Sequence, residues 1–143
     1  MHVSRKVDYA VRAMAYLAAE DSGKVRIVEI AKAMAVPQPF LSKVMRSLVS
    51  AGLVSSQVGP GGGYRLAREA TAISFRDLVE AVDGPMTIVP CQDGGGDDCV
   101  LIDCCTQVPI WDRIRGQMLQ VLSCYTLDQV KSLGLGEPPP PLS

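Results

Sequence analysis

Four of the chain's five cysteines fall within one short stretch, Cys91 to Cys105, which reads CQDGGGDDCVLIDCC. A segment this rich in Gly and Asp cannot pack a core, so crowding an apolar residue into it asks for a covalent or metal explanation. The spacing is Cys91, seven residues, Cys99, five residues, Cys105, with Cys104 as an adjacent spare thiol. Thiolates are soft ligands suited to zinc, copper(I) or iron-sulfur clusters, and the glycines let the chain wrap an inorganic core. Cys105 also falls just before a long helical pattern, where the positive end of the helix suits an anionic ligand. Structural zinc sites use tight C-x2-4-C pairs, which only Cys99 and Cys104 approach. A reversible disulfide is the other alternative. Three thiolates leave a cluster one ligand short. The sole histidine, His2, is at the terminus; Asp8, Cys104, a water or an exogenous thiol are the remaining candidates. For Asp8 the simpler role is a carboxylate placed favourably at a helix N-terminus. Cys124 lies on the apolar side of the later helix and is expected to be buried as a small hydrophobe.

The elements that must carry this loop are mostly helical. Val7, Val11, Met14, Ala15 and Ala18 form an apolar stripe over residues 4–20, which Asp21, Ser22 and Gly23 end. Arg26-Ile27-Val28 is expected as an extended lead-in to a second helix, Glu29 to Ala35, with Ile30, Ala31 and Met34 inward. Val36-Pro37-Gln38-Pro39 stops that helix. A third helix from Phe40 to Ala51 turns Phe40, Leu41, Val44, Met45, Leu48 and Val49 inward and shows Ser42, Lys43, Arg46, Ser47 and Ser50 on its other face, with Gly52 as cap. Two helices across a tight turn, the second with a polar and basic face, make a helix-turn-helix pattern. A plain two-helix hairpin of a bundle would also fit.

The next residues favour the first reading. Leu53 to Val58 alternates as a strand, Gly59-Pro60-Gly61-Gly62-Gly63 must turn, and Tyr64 to Ala67 returns as a second strand. A hairpin after a candidate recognition helix is a wing, whose glycine tip permits close approach to phosphates. No G-K-[ST] follows the glycines, which argues against a nucleotide loop. Ser74 caps a helix from Phe75 to Val82 with Phe75, Leu78, Val79 and Val82 inward. Met86 to Val89 is expected to be extended, and the loop from Pro90 to Thr106 is longer than a connection needs. Pro109 to Tyr125 then forms a helix of about 25 Å. Its stripe of Trp111, Ile114, Met118, Val121, Leu122 and Tyr125 is expected to pack against a second copy of the chain. Thr126 caps a last helix to Leu133, and the end, EPPPPLS, has the composition of a disordered tail.

The 143-residue chain has a net charge of -1, but it is split unevenly. Residues 1–68 carry ten Lys/Arg against four Asp/Glu, whereas residues 69–143 carry four against eleven. A basic half beside an acidic half suits a polyanion-binding module joined to another kind of module. The expected class is mainly α with a small β-hairpin wing: a winged helix-turn-helix domain over 1–84, a cysteine-rich sensor loop over 85–107, a dimerisation helix and short final helix over 108–133, and a tail over 134–143. No apolar run approaches the roughly 18 residues of a membrane span, and the start MHVSRKVDYAVRAM lacks a signal-peptide core. The expected site of action is therefore the cytoplasm, where clustered thiols stay reduced. No His, Ser or carboxylate pair forms a catalytic set, so an enzyme is not expected. An iron-sulfur electron carrier would explain the cysteines but leave the basic wing unused.

KVDYAVRAM, IVEIAKAM followed by FLSKVMRSLVSAGLV, the wing GPGGGYRL, the C-x7-C-x5-C loop and the closing YTLDQV together resemble the small winged-helix iron-sulfur regulators that include IscR, NsrR and RirA. The resemblance covers residues 1 to about 133. It implies a transcriptional regulator that binds a palindromic operator in double-stranded DNA as a homodimer, with the recognition helix in the major groove and the wing in the minor groove. It also implies an iron-sulfur cluster, 4Fe-4S or alternatively 2Fe-2S, that controls operator affinity in response to iron, nitric oxide or redox state. Its ligands would be Cys91, Cys99 and Cys105, because Trp111 follows Cys105 at the family's usual spacing, with Asp8 of the partner subunit or Cys104 completing the set. Gln38, Ser42, Lys43 and Arg46 are the expected DNA contacts of the recognition helix, and Gly61, Gly62, Gly63 and Tyr64 those of the wing. The chain departs from the pattern at Val108, where the cluster-assembly branch has histidine, and at Val58, where many relatives have arginine. A regulator of the same fold without a cluster, responding by cysteine oxidation or through a protein partner, is the alternative.

Overall fold

The computed structural model describes residues 2–20, 23–94 and 98–132. The expected helix end at Asp21 and Ser22 and the expected tail over 134–143 lie outside these residues. Six helices and one hairpin follow in the order α1 (Arg5–Ala19), α2 (Ile27–Met34), α3 (Gln38–Ser50), β1 (Val54–Gln57), β2 (Gly63–Leu66), α4 (Phe75–Asp83), α5 (Val108–Cys124) and α6 (Leu127–Ser132). Short 3-10 turns occur at Ala70–Ala72, Pro90–Asp93 and Ile102–Cys104.

Side chains hold the first turns of α1, α2 and α4, and the starts of α2 and α3 differ from the expected ones. Ser4 Oγ accepts the Val7 N–H at 3.2 Å and starts α1. Glu29 accepts the Arg26 N–H at 2.8 Å, so α2 opens at Ile27, and of the expected extended lead-in over Arg26 to Val28 only Arg26 is extended. Val25 is extended as well, exchanging N–H to C=O bonds of 2.8 Å with Tyr64. Pro39 sits in the first turn of α3, where its missing donor costs nothing, so that helix begins at Gln38 rather than Phe40. Ser74 and Asp77 cap each other's backbone at the start of α4, with bonds of 2.8 and 3.1 Å. Met86 to Val89 forms no strand.

The core is built between α1, α2, α3 and α4. Ala10, Ala13, Met14, Ile30, Leu41, Met45, Leu48, Ile73 and Leu78 are fully buried. Burial on α1 centres on Ala10, Met14 and Leu17, while Val11 and Ala15 of the expected stripe are only half-buried. Phe40 is a clearer departure: expected inward, it is 58% exposed. It stands at the margin of the apolar stripe of α3, where the period alone does not say which side is covered.

Helix α6 returns to this core. Leu127 is fully buried, its N–H bonds to Ile73 C=O at 2.9 Å, and the Phe75 N–H bonds to Tyr125 C=O at 2.9 Å, making a bridge between Ser74 and Thr126. By contrast α5 buries no residue in the single chain, and Ile110 and Val121 are exposed. Cys124 is exposed as well, not buried as its place on the apolar stripe suggested. No helix among the described residues is long and apolar enough to cross a membrane.

Candidate functional site

Helix α3 presents Gln38, Lys43 and Arg46 to solvent, and Ser42 is half-buried beside them. Spacings of four put Gln38, Ser42 and Arg46 on one strip, with Lys43 alongside. The Ser42 hydroxyl donates to Gln38 C=O at 3.0 Å, which leaves its oxygen free to accept. Neither Lys43 nor Arg46 is ion-paired among the described residues, whereas Arg12 and Arg26 are paired with Asp8 and Glu29 at 2.8 and 3.6 Å. The strip thus offers uncompensated positive charge and amide and hydroxyl groups from a rigid element.

The hairpin beside it is antiparallel, with Val54 opposite Leu66 and Gln57 opposite Gly63, and Val25 lengthens it through Tyr64. Two of the tip glycines are required by the fold itself. A Cβ on Gly62 would stand 2.2 Å from Gln57 O, and one on Gly63, at φ 155°, would stand 2.7 Å from Val25 O. Gly61, at φ 73°, faces open space and is the exposed one of the three. Tyr64 is half-buried and held by Val25. Arg65 is exposed next to it and did not enter the expected contacts, although strand alternation places it opposite in face to Tyr64. Val58 leads into the tip at 95% exposure, an apolar side chain without an internal neighbour to bury it.

The cysteines lie on short local turns. Cys91 is in the 3-10 turn Pro90–Asp93 and half-buried, Cys99 and Cys104 are exposed, and Cys105, directly after the turn Ile102–Cys104, is half-buried; all are free thiols. The donor set fits a soft metal centre in chemistry. The turns gather the residues into one loop but not their side chains to one point: among the described residues no three His, Cys, Asp or Glu groups stand close enough to share a metal ion. What orders the loop's entry is a residue the sequence reading passed over. Gln92 accepts the N–H groups of Ile88 and Val89 at 2.7 and 3.3 Å and donates to Asp112 of α5 at 2.9 Å. The signal was weak, one amide in a polar run.

Asp8 is in the first turn of α1 and forms a two-point pair with Arg12, at 2.8 and 3.1 Å. Arg12 also donates to Met34 C=O at 3.3 Å, joining α1 to the end of α2.

Comparison with known proteins extends these observations. The family model described as Rrf2, iron-dependent transcriptional regulator, matches residues 3–132. Protein aau3 of Rhizobium meliloti (strain 1021) is 36% identical over 146 residues, which cover 96% of this chain and 95% of that one. Among solved structures, CymR, the global cysteine regulator of B. subtilis, superposes with a TM-score of 0.74 at 27% identity, covering 93% of this chain and 98% of CymR. T. potens IscR gives 0.71 at 26% identity, covering 96% and 94%.

Proposed function

The chain belongs to the Rrf2 family of transcriptional regulators, and from that premise we propose that it is a cytoplasmic homodimer whose affinity for a palindromic operator is set by the state of its cysteine loop. It is a regulator and not an enzyme. The observation that carries the DNA-binding half is the strip Gln38, Ser42, Lys43 and Arg46 on α3, whose two cations have no ion pair among the described residues, beside a glycine-tipped hairpin. In this reading the strip enters the major groove, the exposed tip at Gly61 approaches the minor groove backbone, and Gly62, Gly63 and Tyr64 hold that tip in shape.

The dimer reading rests on α5, whose apolar side is at most half-buried in the single chain, and on the adjoining cleft of about 750 Å3 between the start of α1, the end of α4 and α5. A second copy related by a two-fold axis covers both, and two-fold symmetry is what a palindromic operator requires.

For the sensor, Cys91, Cys99 and Cys105 would hold an iron-sulfur cluster, with Asp8 of the partner subunit or Cys104 as the fourth ligand. Three thiolates with an exchangeable fourth ligand suit a 4Fe-4S cluster with one reactive corner; 2Fe-2S is the other nuclearity. When bound, the cluster supplies a centre sensitive to iron supply, nitric oxide or redox state. The chain's own coupling is through Gln92 and Asp112, which tie the loop's entry to α5 and so to the separation of the two recognition helices. A second reading, a thiol switch without a cluster, is favoured by the free, exposed Cys99 and Cys104 and by the likeness to CymR.

Selection of duplexes from a random pool by anaerobically purified protein, alongside its visible spectrum and iron and sulfide content, tests both halves. An inverted repeat should be enriched, and the protein should be coloured and contain iron. Colourless, iron-free protein whose binding changes with thiol oxidation would replace the cluster with the thiol switch. Failure to enrich any repeat would remove the operator reading.

A further inference from the structure

A group of cations flanks the proposed reading strip and shares Lys43 with it. Arg5 and Lys6 in the first turn of α1 and Lys43 of α3 line a cavity of about 460 Å3 together with Tyr9, Phe40 and Ser47. None of the three cations is ion-paired among the described residues, although the neighbouring Arg12 is held by Asp8. Bringing three like charges to one recess without a carboxylate costs electrostatic energy in the free chain, and an anion would recover it. The recess also has an apolar wall. The Tyr9 and Phe40 rings stand 6.5 Å apart, and Phe40 is 58% exposed, the one large aromatic left open on α3.

The position of the recess selects the anion. Phe40, Lys43 and Ser47 are spaced three and four apart and share one flank of α3, next to the strip of Gln38, Ser42 and Arg46. A helix seated in a major groove about 12 Å wide has the sugar-phosphate strands on its flanks. We infer that this recess is a seat for a backbone phosphodiester of the operator, with Arg5, Lys6 and Lys43 neutralising the phosphate and the Phe40 ring covering the adjoining deoxyribose. The inference rests on α3 being the recognition helix, and it extends the DNA interface onto the start of α1. Such a contact fixes register on the duplex and is blind to base sequence.

The test uses the full chain, a duplex selected by it from a random pool, and a scrambled duplex of the same composition. Replacing Arg5 and Lys6 together, as Arg5→Gln/Lys6→Gln, should weaken binding to both duplexes alike, about tenfold, and lower the slope of log affinity against log salt by about 1 to 2. Gln38→Ala should instead reduce the ratio of selected to scrambled binding. Methylphosphonate replacement of single phosphates should find one at the groove edge whose neutralisation weakens the wild type but not the double variant. An unchanged salt slope in the double variant overturns the seat, as does saturable binding of AMP or inorganic phosphate to the recess without DNA, which assigns it to a free phosphorylated ligand. If Gln38→Ala and Arg46→Ala leave both duplexes unaffected, the recognition-helix reading fails instead, and the seat falls with it. Should the double variant melt far below the wild type, Lys6→Gln alone carries the same comparison, with a slope reduced by about 1.

Discussion

Asp8 is under two demands. Both carboxylate oxygens engage Arg12, at 2.8 and 3.1 Å, yet the proposed fourth ligand of the partner's cluster is the same group. Either the pair opens on assembly or one oxygen serves each role. Asp8→Ala should alter the visible spectrum of the anaerobic protein or shorten the survival of its colour in air. An identical spectrum and lifetime would leave Asp8 with Arg12 alone. Arg12→Ala should leave the colour unchanged and cost about 0.5 kcal/mol or less, since both partners are more than 40% exposed. Among the thiols, Cys91→Ser, Cys99→Ser and Cys105→Ser should each lose bound iron while Cys104→Ser keeps it; loss in Cys104→Ser with retention in Cys105→Ser would shift the ligand set by one residue. The cysteine spacing made the loop's chemistry legible in the sequence, but not its geometry. The contacts that shape it are the local turns at Pro90–Asp93 and Ile102–Cys104 and one amide, Gln92, none of which follows from the thiol pattern.

Helices and hairpin were legible in kind, because apolar periods of 3.6 and 2 and the Gly-Pro turns speak directly to them. The starts of α4 and α6, after Ser74 and Thr126, were legible too, but those of α2 and α3 were not, because each rests on a single contact or a single proline. Glu29 reaching back to Arg26 put Ile27 and Val28 of the expected extended lead-in into the first turn of α2, and Pro39, part of the run expected to stop α2, also lies in the first turn of α3. The hairpin tip shows the same limit for function. Three glycines looked equivalent as points of close approach, but Gly62 and Gly63 exclude a Cβ because of Gln57 and Val25 backbone atoms. Gly63→Ala should therefore cost about 2 kcal/mol through the Val25–Tyr64 bridge, read as a lower melting temperature. Gly61→Ala, in open space, should cost about 1 kcal/mol for its positive φ and act chiefly on DNA affinity. If Gly61→Ala binds DNA as tightly as wild type, the tip does not approach the duplex.

At the scale of the molecule, α5 was expected to be the dimerisation helix and α6 a short final helix, and the two differ in what they pack against. Helix α5 leaves its stripe at most half-covered, with Val121 exposed, so Met118→Glu and Val121→Glu should convert a dimer to a monomer in light-scattering measurements and abolish binding to an inverted repeat, with Val121→Glu leaving the melting of the single chain little changed. A monomeric wild type would contradict this. Helix α6 carries Leu127 into the N-terminal core, so Leu127→Ala should destabilise the chain by about 2 to 5 kcal/mol, measured by denaturant unfolding. The sequence showed Leu127 only as part of a short amphipathic end. Its destination depends on a contact across more than fifty residues, which no local pattern contains.

The backbone bridge from Ser74 to Thr126 closes α4, the cysteine loop and α5 into a ring, in which α4 stays in the core through Leu78 and the chain leaves the core only after it. A protease cut inside the cysteine loop therefore should not release a free DNA-binding fragment. The N-terminal piece keeps α1 to α4, and the C-terminal piece keeps Leu127, which is fully buried in the same core and should hold the two together. The nicked protein should run as two bands in denaturing gels and as one particle in native chromatography, whereas a gene truncated at the same point should yield a chain that fails to fold. Fragment complementation of this kind would make the loop a site where the covalent chain is dispensable although neither of its halves is.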